Sequence, residues 1–203
     1  MLVDRSFRDL LDAFSSTDPT PGGGSASAMA SAVGASLLMM VAGMPKTRSG
    51  APEEKDELAR AASIVSGLRT RLTAAVDADT AAYDRVVAAY RLPKASADEQ
   101  AARQQAIQAA LRAATDVPLD VVRWSAQALE QAVVVARNGY RAAASDIGVA
   151  AALLQAGATG ARLNVEINVG SVKDAAYVES VRGELQSLTA GIAASYSACG
   201  AES

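Results

Sequence analysis

The amino-acid sequence predicts an all-α protein: a single-domain bundle of about seven helices around one buried central helix. Three observations support this fold class. Hydrophobic residues make up 50% of the 203 residues, aromatic residues only 4%, and alanine is abundant while proline is scarce. Apolar residues recur every three or four positions along most of the chain, and no stretch shows the two-residue period of a strand. A chain of this length can bury a sizeable core.

The first two helices are predicted on either side of a glycine-rich turn. The first spans about residues 4–15, where Asp4 can cap the start and apolar residues recur at helical spacing. The second extends from the turn to about Gly43, and no charged residue lies between Asp18 and Lys46. A helix that is apolar or small on every side is typically buried, so we expect this helix to be the centre of the bundle.

The start of this central helix is the first candidate for a functional site. The first turn of a helix leaves backbone N–H groups free, and these can bind an anion or a carbonyl group. We therefore expect the turn to form one wall of a ligand site, made by Pro21, Gly22, Gly23, Gly24 and Ser25. Taken alone, the stretch also fits a core helix with a flexible leader. Its Ala, Ser and Gly content favours a buried helix of a soluble protein over a membrane span.

The third helix carries a carboxylate where an apolar residue is expected. It is predicted over residues 52–90, with Pro52 at its start and acidic residues in its first turn. Its apolar seam includes Asp79, whereas Asp77 and Asp84 lie off the seam and need no special role. A carboxylate on a seam is costly unless it is paired or hydrogen-bonded. Asp79 is therefore either a buried structural group or part of a pocket.

A capping box and a proline define the next two predicted helices. Ser96 and Glu99 form the capping box at the start of the fourth helix. Pro118 is expected to break or kink the chain between this helix and the next helical segment, over residues 119–137. Asn138 and Gly139 are expected to end the fifth helix with a left-handed cap.

The sixth predicted helix carries polar residues near both ends. It begins with Ser145 as the cap and Asp146 in the first turn, and it extends to about residue 169. Asn164 and Asn168 are four residues apart and share one face, where they can bond another helix or contact a ligand. Asp146 and Asn164 are about 27 Å apart along a straight helix, so one helix cannot bring both to one small reacting centre. A seventh helix is predicted over about residues 172–198.

Charge and residue usage exclude several classes of function. The net charge is −3 and no basic stripe is present, so we expect no nucleic-acid partner. The chain has no histidine, and its one cysteine, Cys199, lies near the C-terminus. This excludes histidine-based triads, metal sites built from histidine or cysteine, and internal disulfides. We expect a cytoplasmic protein without a metal, whose acid–base chemistry comes from Asp, Glu, Lys, Tyr or water.

Six blocks of the sequence resemble, in the same order, the cyclodeaminase/cyclohydrolase family. The first block is the glycine-rich helix start and the helix after it, PTPGGGSASAMASAVGASLLMMVA, residues 19–42. The second is the run Asp79-Thr80-Ala81-Ala82-Tyr83-Asp84. The other four are Leu92-Pro93-Lys94 with Arg103, Val117-Pro118-Leu119, residues 145–151 and residues 163–168. Each block is weak alone, but together they cover most of the chain and are specific.

The resemblance implies an all-helical homodimer that acts on a tetrahydrofolate derivative and uses no other cofactor. Family members either open 5,10-methenyltetrahydrofolate with water to give 10-formyltetrahydrofolate, or close 5-formiminotetrahydrofolate to the methenyl form with loss of ammonia. We expect the first reaction, a cyclohydrolase, because the chain has no room for a formiminotransferase domain; the cyclodeaminase is the alternative. A non-catalytic folate-binding or scaffold dimer is a third, favoured by Tyr140 and Ala142, where many relatives have asparagine.

The resemblance also implies roles for individual residues. Since no histidine is present, Asp79 and Asp146 are the expected acid–base pair, and they can come from different subunits if the dimer brings them together. The basic side chains expected to bind the glutamate tail are Lys46, Arg48, Lys94 and Arg103. The loop that carries Lys46 and Arg48 fits a solvated connector equally well. The remaining expected substrate-binding residues are Tyr83, Ser145, Asn164 and Asn168.

Overall fold

The structure is a computed structural model that describes residues 1–201, and it confirms the all-α prediction. Its α-helices are α1 (Phe7–Phe14), α2 (Gly23–Ala42), α3 (Pro52–Tyr90), α4 (Ala97–Asn138), α5 (Ala144–Val169) and α6 (Ala175–Ala201). Two short 3₁₀ helices span Leu2–Asp4 and Arg141–Ala143. No strand occurs within residues 1–201. The count of six α-helices is close to the seven predicted.

The count differs by one because Pro118 does not break α4. A proline inside a helix lacks the N–H that would bond the carbonyl four residues earlier, which here is that of Ala114. Asn168 of α5 supplies a donor instead, since its Nδ2 lies 2.8 Å from the Ala114 oxygen. Of the two alternatives, a break at Pro118 was therefore wrong, because a neighbouring helix satisfies the carbonyl that the proline leaves without a partner.

Helix α2 is the central element and packs mainly against α3 and α5, with α4 also in contact. It runs antiparallel to α5, because Gly23 lies beside Asn164 while Gly34 lies beside Ala150. A core of mainly Ala, Val and Leu side chains joins α2 to the longer helices around it. By length and composition α2 could also cross a membrane, but half of that stretch is buried inside the protein, as expected of a core helix.

Small residues allow α2 and α5 to approach closely. A Cβ atom added at Gly157 of α5 would lie 2.0 Å from Ser31 Oγ and 2.6 Å from the carbonyl oxygen of Ser27. Ser31 is fully buried, and its Oγ lies 2.8 Å from Ser125 Oγ on α4. The glycine on α5 and the serines on α2 and α4 therefore fix three helices at short range.

The N-terminus of the chain is anchored on α3. Leu2 is buried, and its backbone N–H donates to Asp77 Oδ1 on that helix. Asp77 thus has a structural role that its position off the apolar seam did not predict. Helix α1 begins after Ser6, whose Oγ accepts the N–H of Asp9 at 3.2 Å. Ser6 rather than Asp4 is therefore the cap of α1.

The ends of α4 and α5 confirm one predicted cap and correct two. The capping box of Ser96 and Glu99 is present, with both reciprocal hydrogen bonds. Gly139 follows α4 with φ −72° and ψ 164°, so the chain leaves the helix in an extended conformation rather than through a left-handed cap. Ser145 lies inside α5 and does not cap it, because the preceding 3₁₀ helix leads directly into α5. Asp146 lies in the first turn, as predicted.

Candidate active site

A cavity of about 310 Å³ lies at the N-terminal end of α2, between that helix and α3, α4 and α5. It is lined by Pro19, Thr20, Gly22, Gly23, Gly24, Asp79, Ala82, Tyr83, Val86, Leu111, Ala114, Asn164 and Asn168. The glycine-rich turn, the seam carboxylate of α3 and the two amides of α5 therefore meet in one place. Seven of the residues that the sequence marked as a site lie in this cavity, and only the tertiary structure brings them together.

Asp79 caps the start of α2 from a different helix. Gly22 occupies the capping position of α2 and has no side chain to bond the free N–H groups. The Asp79 Oδ2 atom accepts the backbone N–H of Ser25 at 2.9 Å and lies 3.0 Å from Ser25 Oγ. A negative charge at a helix N-terminus also interacts favourably with the helix dipole. Asp79 is thus held in place by the helix whose start it stabilises.

The Asp79 carboxylate packs directly against the backbone of α2. A Cβ atom at Gly24 would lie 2.1 Å from Asp79 Oδ1, so glycine is required there for the carboxylate to fit. Burial raises the pKa of Asp79 above its ordinary value, and the hydrogen bonds from Ser25 oppose this only in part. The Oδ1 atom has no hydrogen-bond partner among residues 1–201. The carboxylate therefore keeps one oxygen available for a ligand.

Asn164 and Asn168 present their amide oxygens without a protein donor. The Nδ2 group of Asn164 donates to the Gly160 carbonyl at 2.9 Å, and that of Asn168 donates to the Ala114 carbonyl. Neither Oδ1 atom accepts a hydrogen bond from a described residue. Together with Asp79 Oδ1, the two amides give the cavity three hydrogen-bond acceptors. Such a site suits a ligand that carries several N–H donors.

Two residues of the glycine-rich turn do not line the cavity. Ser25 is fully buried behind Asp79, and its Oγ lies 2.8 Å from the Val76 carbonyl oxygen. It positions the carboxylate and has no exposed surface for a ligand. Pro21, joined to Thr20 by a cis peptide bond, lies between two residues that do line the cavity. The turn therefore contributes Gly22, Gly23 and Gly24 to the lining.

A second polar region lies at the opposite ends of α2 and α5. Lys46 Nζ lies 5.4 Å from the centre of the Tyr140 ring, and Arg48 Nη1 donates to the Ala136 carbonyl at 3.0 Å. Arg48 and Tyr140 also line a small cavity of about 90 Å³ beside the start of α5, where Ser145 and Asp146 lie. One chain therefore places the predicted residues Lys46, Arg48, Ser145 and Asp146 far from the Asp79 cavity.

The loop that carries Lys46 and Arg48 is held by Glu54 of α3. The Glu54 carboxylate accepts the Thr47 hydroxyl at 2.5 Å and the backbone N–H groups of residues 49 and 50. These hydrogen bonds, that of Thr47 first, lower the pKa of Glu54 to about 2. The Glu54 carboxylate beneath the loop therefore holds it in a defined shape.

Lys94 and Arg103 lie near the α3–α4 connection and do not line the Asp79 cavity. Arg103 Nη2 donates to the Tyr90 carbonyl at 3.0 Å, and its guanidinium group stacks over the Tyr90 ring. Lys94 is exposed, and its backbone carbonyl accepts the side-chain amide of Gln100. Arg103 therefore has a structural explanation in this chain, namely that it binds the end of α3.

The sequence interpretation missed six of the residues that line the cavity. Ala82 and Val86 follow Asp79 at helical spacing, so the same seam could have identified them. The other four are Pro19, Thr20, Leu111 and Ala114. No local signal marked Leu111 and Ala114, because they reach the cavity only through the packing of α4 against α3 and α5.

Known proteins match the chain over nearly its whole length. Methenyltetrahydrofolate cyclohydrolase of Methylorubrum extorquens is 38% identical over 190 residues, which cover 94% of this chain and 91% of that relative. Formimidoyltransferase-cyclodeaminase of Rattus norvegicus is 33% identical over 187 residues, which cover 92% of this chain. This chain spans only 35% of the rat protein.

A solved structure shows the same fold. Formiminotetrahydrofolate cyclodeaminase from Thermotoga maritima superposes with a TM-score of 0.88, covering 100% of this chain and 97% of the other, at 26% sequence identity. The family described as formiminotransferase-cyclodeaminase matches residues 6–187. These findings confirm the resemblance that the six sequence blocks indicated. With the match extending from α1 into α6 and enclosing the whole Asp79 cavity, this chain belongs to the formiminotransferase-cyclodeaminase family.

Proposed function

We propose that this protein is a methenyltetrahydrofolate cyclohydrolase, which adds water to 5,10-methenyltetrahydrofolate and forms 10-formyltetrahydrofolate. The observation that carries the proposal is the Asp79 carboxylate, half-buried in a cavity whose wall is the glycine-rich start of α2. The similarity to the Methylorubrum extorquens cyclohydrolase, which extends over most of both chains, supports this choice of reaction. The relatives named above are enzymes, which counts against a non-catalytic scaffold.

The cavity fits the reduced pterin end of the substrate. Its volume of about 310 Å³ lies at the lower end of the range for small-molecule sites, which suits a bicyclic ring but not a whole folate. A reduced pterin carries several N–H groups, and Asp79, Asn164 and Asn168 provide acceptors for them. Tyr83 and Val86 offer apolar surface to the ring. The glutamate tail then extends out of the cavity.

In this reaction Asp79 can stabilise the positive charge of the substrate and can also accept a proton from the attacking water. The methenyl bridge is a cation shared by N5 and N10, which a nearby carboxylate stabilises. As water adds to the bridging carbon, Asp79 accepts a proton from it. The bond from this carbon to N5 then breaks as N5 takes up a proton and the new hydroxyl group loses its remaining proton, so that the carbon stays on N10 as a formyl group. One proton is released overall, and the raised pKa of Asp79 suits its repeated protonation.

Cyclodeamination of 5-formiminotetrahydrofolate is the second candidate function. The Thermotoga maritima structure, titled as such an enzyme, supports it by its fold over the whole chain. In this reaction N10 attacks the formimino carbon and ammonia leaves. A protonated Asp79 would supply the proton that ammonia needs as a leaving group. The same cavity and the same carboxylate would therefore serve both reactions.

We also propose that the protein is a cytoplasmic homodimer that needs no metal and no cofactor besides its folate substrate. Water is the only other reactant in the cyclohydrolase reaction, and a carboxylate of raised pKa can accept a proton from it. The net charge of −3 and the lack of a basic stripe support the view that nucleic acid is not a partner. Packing of α2 inside the bundle supports the view that the protein does not span a membrane.

The near-ultraviolet absorbance of methenyltetrahydrofolate provides the test. The wild-type protein should accelerate the loss of this absorbance over buffer, with 10-formyltetrahydrofolate as the product. Release of ammonia from 5-formiminotetrahydrofolate, measured in parallel, separates the two candidate reactions. Binding of methenyltetrahydrofolate without any gain in rate, and no ammonia release, would instead favour a folate-binding protein without catalysis.

A further inference from the structure

Pro118 lies in the interior of a 42-residue helix, where proline is the least favourable residue. It is buried, and it does not line the Asp79 cavity. Another buried apolar residue could fill this position and keep the backbone hydrogen bonds of the helix, as Val121 and Val122 do one turn further along α4. Proline differs from them in lacking the backbone N–H, and the consequence of that loss lies at the cavity.

The missing N–H of Pro118 reserves the carbonyl group of Ala114 for α5. In a regular helix the N–H of residue 118 would donate to this carbonyl. Here the Nδ2 group of Asn168 donates to it instead, at 2.8 Å. The proline ring also crowds the carbonyl four residues earlier, which favours a bond directed away from the helix axis. Ala114 and Asn168 both line the Asp79 cavity, so a buried proline determines a hydrogen bond in the cavity wall.

This hydrogen bond fixes which end of the Asn168 amide is available to a ligand. A side-chain amide has an NH₂ group that donates and a carbonyl oxygen that accepts. The Ala114 carbonyl can only accept, so a flipped amide would oppose two oxygen atoms. The Nδ2 group therefore stays on Ala114. The Oδ1 atom, which accepts no hydrogen bond from residues 1–201, remains as an acceptor for the ligand. An amide that was free to flip would offer a donor as readily as an acceptor.

Asn168 depends on this anchor in a way that Asn164 does not. Helix α5 ends at Val169, so Asn168 lies in its last turn, where helices fray. Asn164 lies one turn earlier, and its Nδ2 group donates to the Gly160 carbonyl of the same helix at 2.9 Å. The two amides of the cavity are thus held in different ways. Only the orientation of Asn168 depends on α4 and, through the Ala114 carbonyl, on Pro118.

We propose that Pro118 is a positioning residue for the substrate. It leaves the Ala114 carbonyl to Asn168 Nδ2, and thereby holds Asn168 Oδ1 as an acceptor for an N–H group of the pterin ring. A ligand with an acceptor at that place would face an oxygen atom and bind less well. This inference rests on the proposed function, to which it adds a residue that orients the substrate without touching it. The chemical step is separate, because Asp79 lies on α3.

The affinity for the reaction product measures the effect of Pro118 on the site. Calorimetric titration with 10-formyltetrahydrofolate should show that Pro118→Ala weakens binding about 3- to 10-fold, the effect of one hydrogen bond. The kcat for methenyltetrahydrofolate should change less than about 2-fold, because the lost contact contributes equally before and during the chemical step. Val122→Ala, which also removes buried volume from α4, is the matched control and should bind like the wild type. Unchanged affinity in Pro118→Ala would overturn the proposal.

Two double-mutant cycles show whether Pro118 acts through Asn168. In an Asn168→Ala background, Pro118→Ala should cause no further loss of affinity, because the amide that it positions is already absent. In an Asn164→Ala background, Pro118→Ala should keep its full effect, because the two sites are held independently. Circular dichroism checks that each variant folds. An equal loss of affinity in both backgrounds would assign Pro118 to packing alone and would also overturn the proposal.

Hydrogen exchange of the Asn168 side-chain amide tests the positioning without any folate. Measured by NMR, this exchange should be at least about 3-fold faster in Pro118→Ala than in the wild type, because the amide loses its fixed acceptor. The exchange of the Asn164 amide should be the same in both proteins. Equal exchange of the Asn168 amide would overturn the proposal, even where a double variant does not fold. If the wild type binds no folate, the proposed function fails, while these rates still decide whether Pro118 holds Asn168.

Discussion

Asp79 has one observed role, as the cap of α2, and one proposed role, as the base, and these make different demands on one carboxylate. As a cap it accepts the Ser25 N–H and is best ionised, because the start of α2 is electropositive. As a catalytic base it needs a free oxygen and a raised pKa, and burial provides the latter. The two oxygens divide these tasks, since Oδ2 bonds Ser25 while Oδ1 remains available. Substitution by asparagine can therefore separate the structural role from the chemical one.

We predict that Asp79→Asn abolishes turnover but leaves the fold intact. The amide oxygen can still accept the Ser25 N–H, whereas an amide cannot take the proton of attacking water. Loss of a general base typically costs about 10²- to 10⁴-fold in rate. The absorbance assay with methenyltetrahydrofolate measures this loss, and circular dichroism measures the fold. Turnover equal to that of the wild type would remove Asp79 from the mechanism.

The stability of the wild type relative to this variant should depend on pH in a definite direction. Burial raises the pKa of Asp79, so the folded protein favours the protonated carboxyl. The stabilisation is present below the pKa of the unfolded chain and is lost as the pH rises through the folded pKa. The Tm of the wild type should therefore fall relative to that of Asp79→Asn over this range, as measured by calorimetry. A variant clearly less stable than wild type at neutral pH would show that the charge acts mainly as the cap.

At the scale of the element, α4 stays continuous through Pro118 because a side chain of α5 donates a hydrogen bond to it. The carbonyl of Ala114 would normally bond the N–H of residue 118, which proline lacks. The Asn168 side chain bonds this carbonyl instead, at 2.8 Å. One of the two amides at the cavity thus also holds α4 and α5 together. The hydrogen bond that gives Asn168 its structural role also holds its side chain at the cavity.

We predict that Asn168→Leu costs about 1–3 kcal/mol of unfolding free energy, because it leaves the Ala114 carbonyl without its donor. In a Pro118→Ala background the new N–H can bond that carbonyl, so the cost of Asn168→Leu should be smaller. Urea unfolding of the four proteins gives the coupling energy directly. An equal cost in both backgrounds would show that the two residues act independently.

The seam between α2 and α5 allows a second test with a matched control. Gly157→Ala would place a Cβ atom 2.6 Å from the backbone oxygen of Ser27, which cannot move without shifting α2. We expect a loss of about 1–3 kcal/mol in unfolding free energy. Gly67→Ala is the control, because a Cβ there meets nothing within 4 Å and alanine favours the helix by up to about 1 kcal/mol. Destabilisation of equal size at both positions would contradict the close packing of this seam.

At the scale of the whole molecule, folding and dimerisation should be coupled. Val33 and Met40 of α2 and Val149 and Leu163 of α5 are each about half exposed, and the proposed dimer would cover apolar side chains of this kind. We predict that the Tm of the wild type rises by about 1–3 °C for each tenfold increase in protein concentration. The Tm of Ala156→Glu, which places a charge at an exposed alanine of α5 on the proposed dimer surface, should not change with concentration, as differential scanning calorimetry can show. A wild-type Tm that is independent of concentration would argue against the dimer.

Much of the fold could be predicted from local patterns. The buried central helix followed from its lack of charge, and the capping box of Ser96 and Glu99 marked the start of α4. The local pattern predicted a break or a kink at Pro118, and it could not exclude the break because the compensating donor, Asn168, lies 50 residues further along the chain. The expected Ser145 cap was also wrong, since the chain enters α5 through a 3₁₀ turn that no single residue type signals.

Individual residues of the candidate site could be predicted from the sequence, but which of them lie together in space could not. Asp79, the three glycines at the start of α2, Tyr83 and the two asparagines were all marked by pattern or by resemblance, and the structure places them around one cavity. Asp146, Lys46 and Arg48 were marked in the same way but lie at the far ends of α2 and α5. The spacing of residues along one helix shows that they lie far apart. It does not show which other part of the protein each of them contacts.

The sequence alone determined that the chain is helical, that α2 is buried and that Asp79 occupies an apolar seam, because periodicity and charge are properties of neighbouring residues. It also determined the family, since ordered blocks can be compared without coordinates. Only the tertiary structure decided that Asp79 caps α2, that Asn168 supports α4 and that some of the predicted residues lie around one cavity while the others lie elsewhere. The physical reason is that hydrogen bonds and close packing between helices depend on distances between residues far apart in the chain.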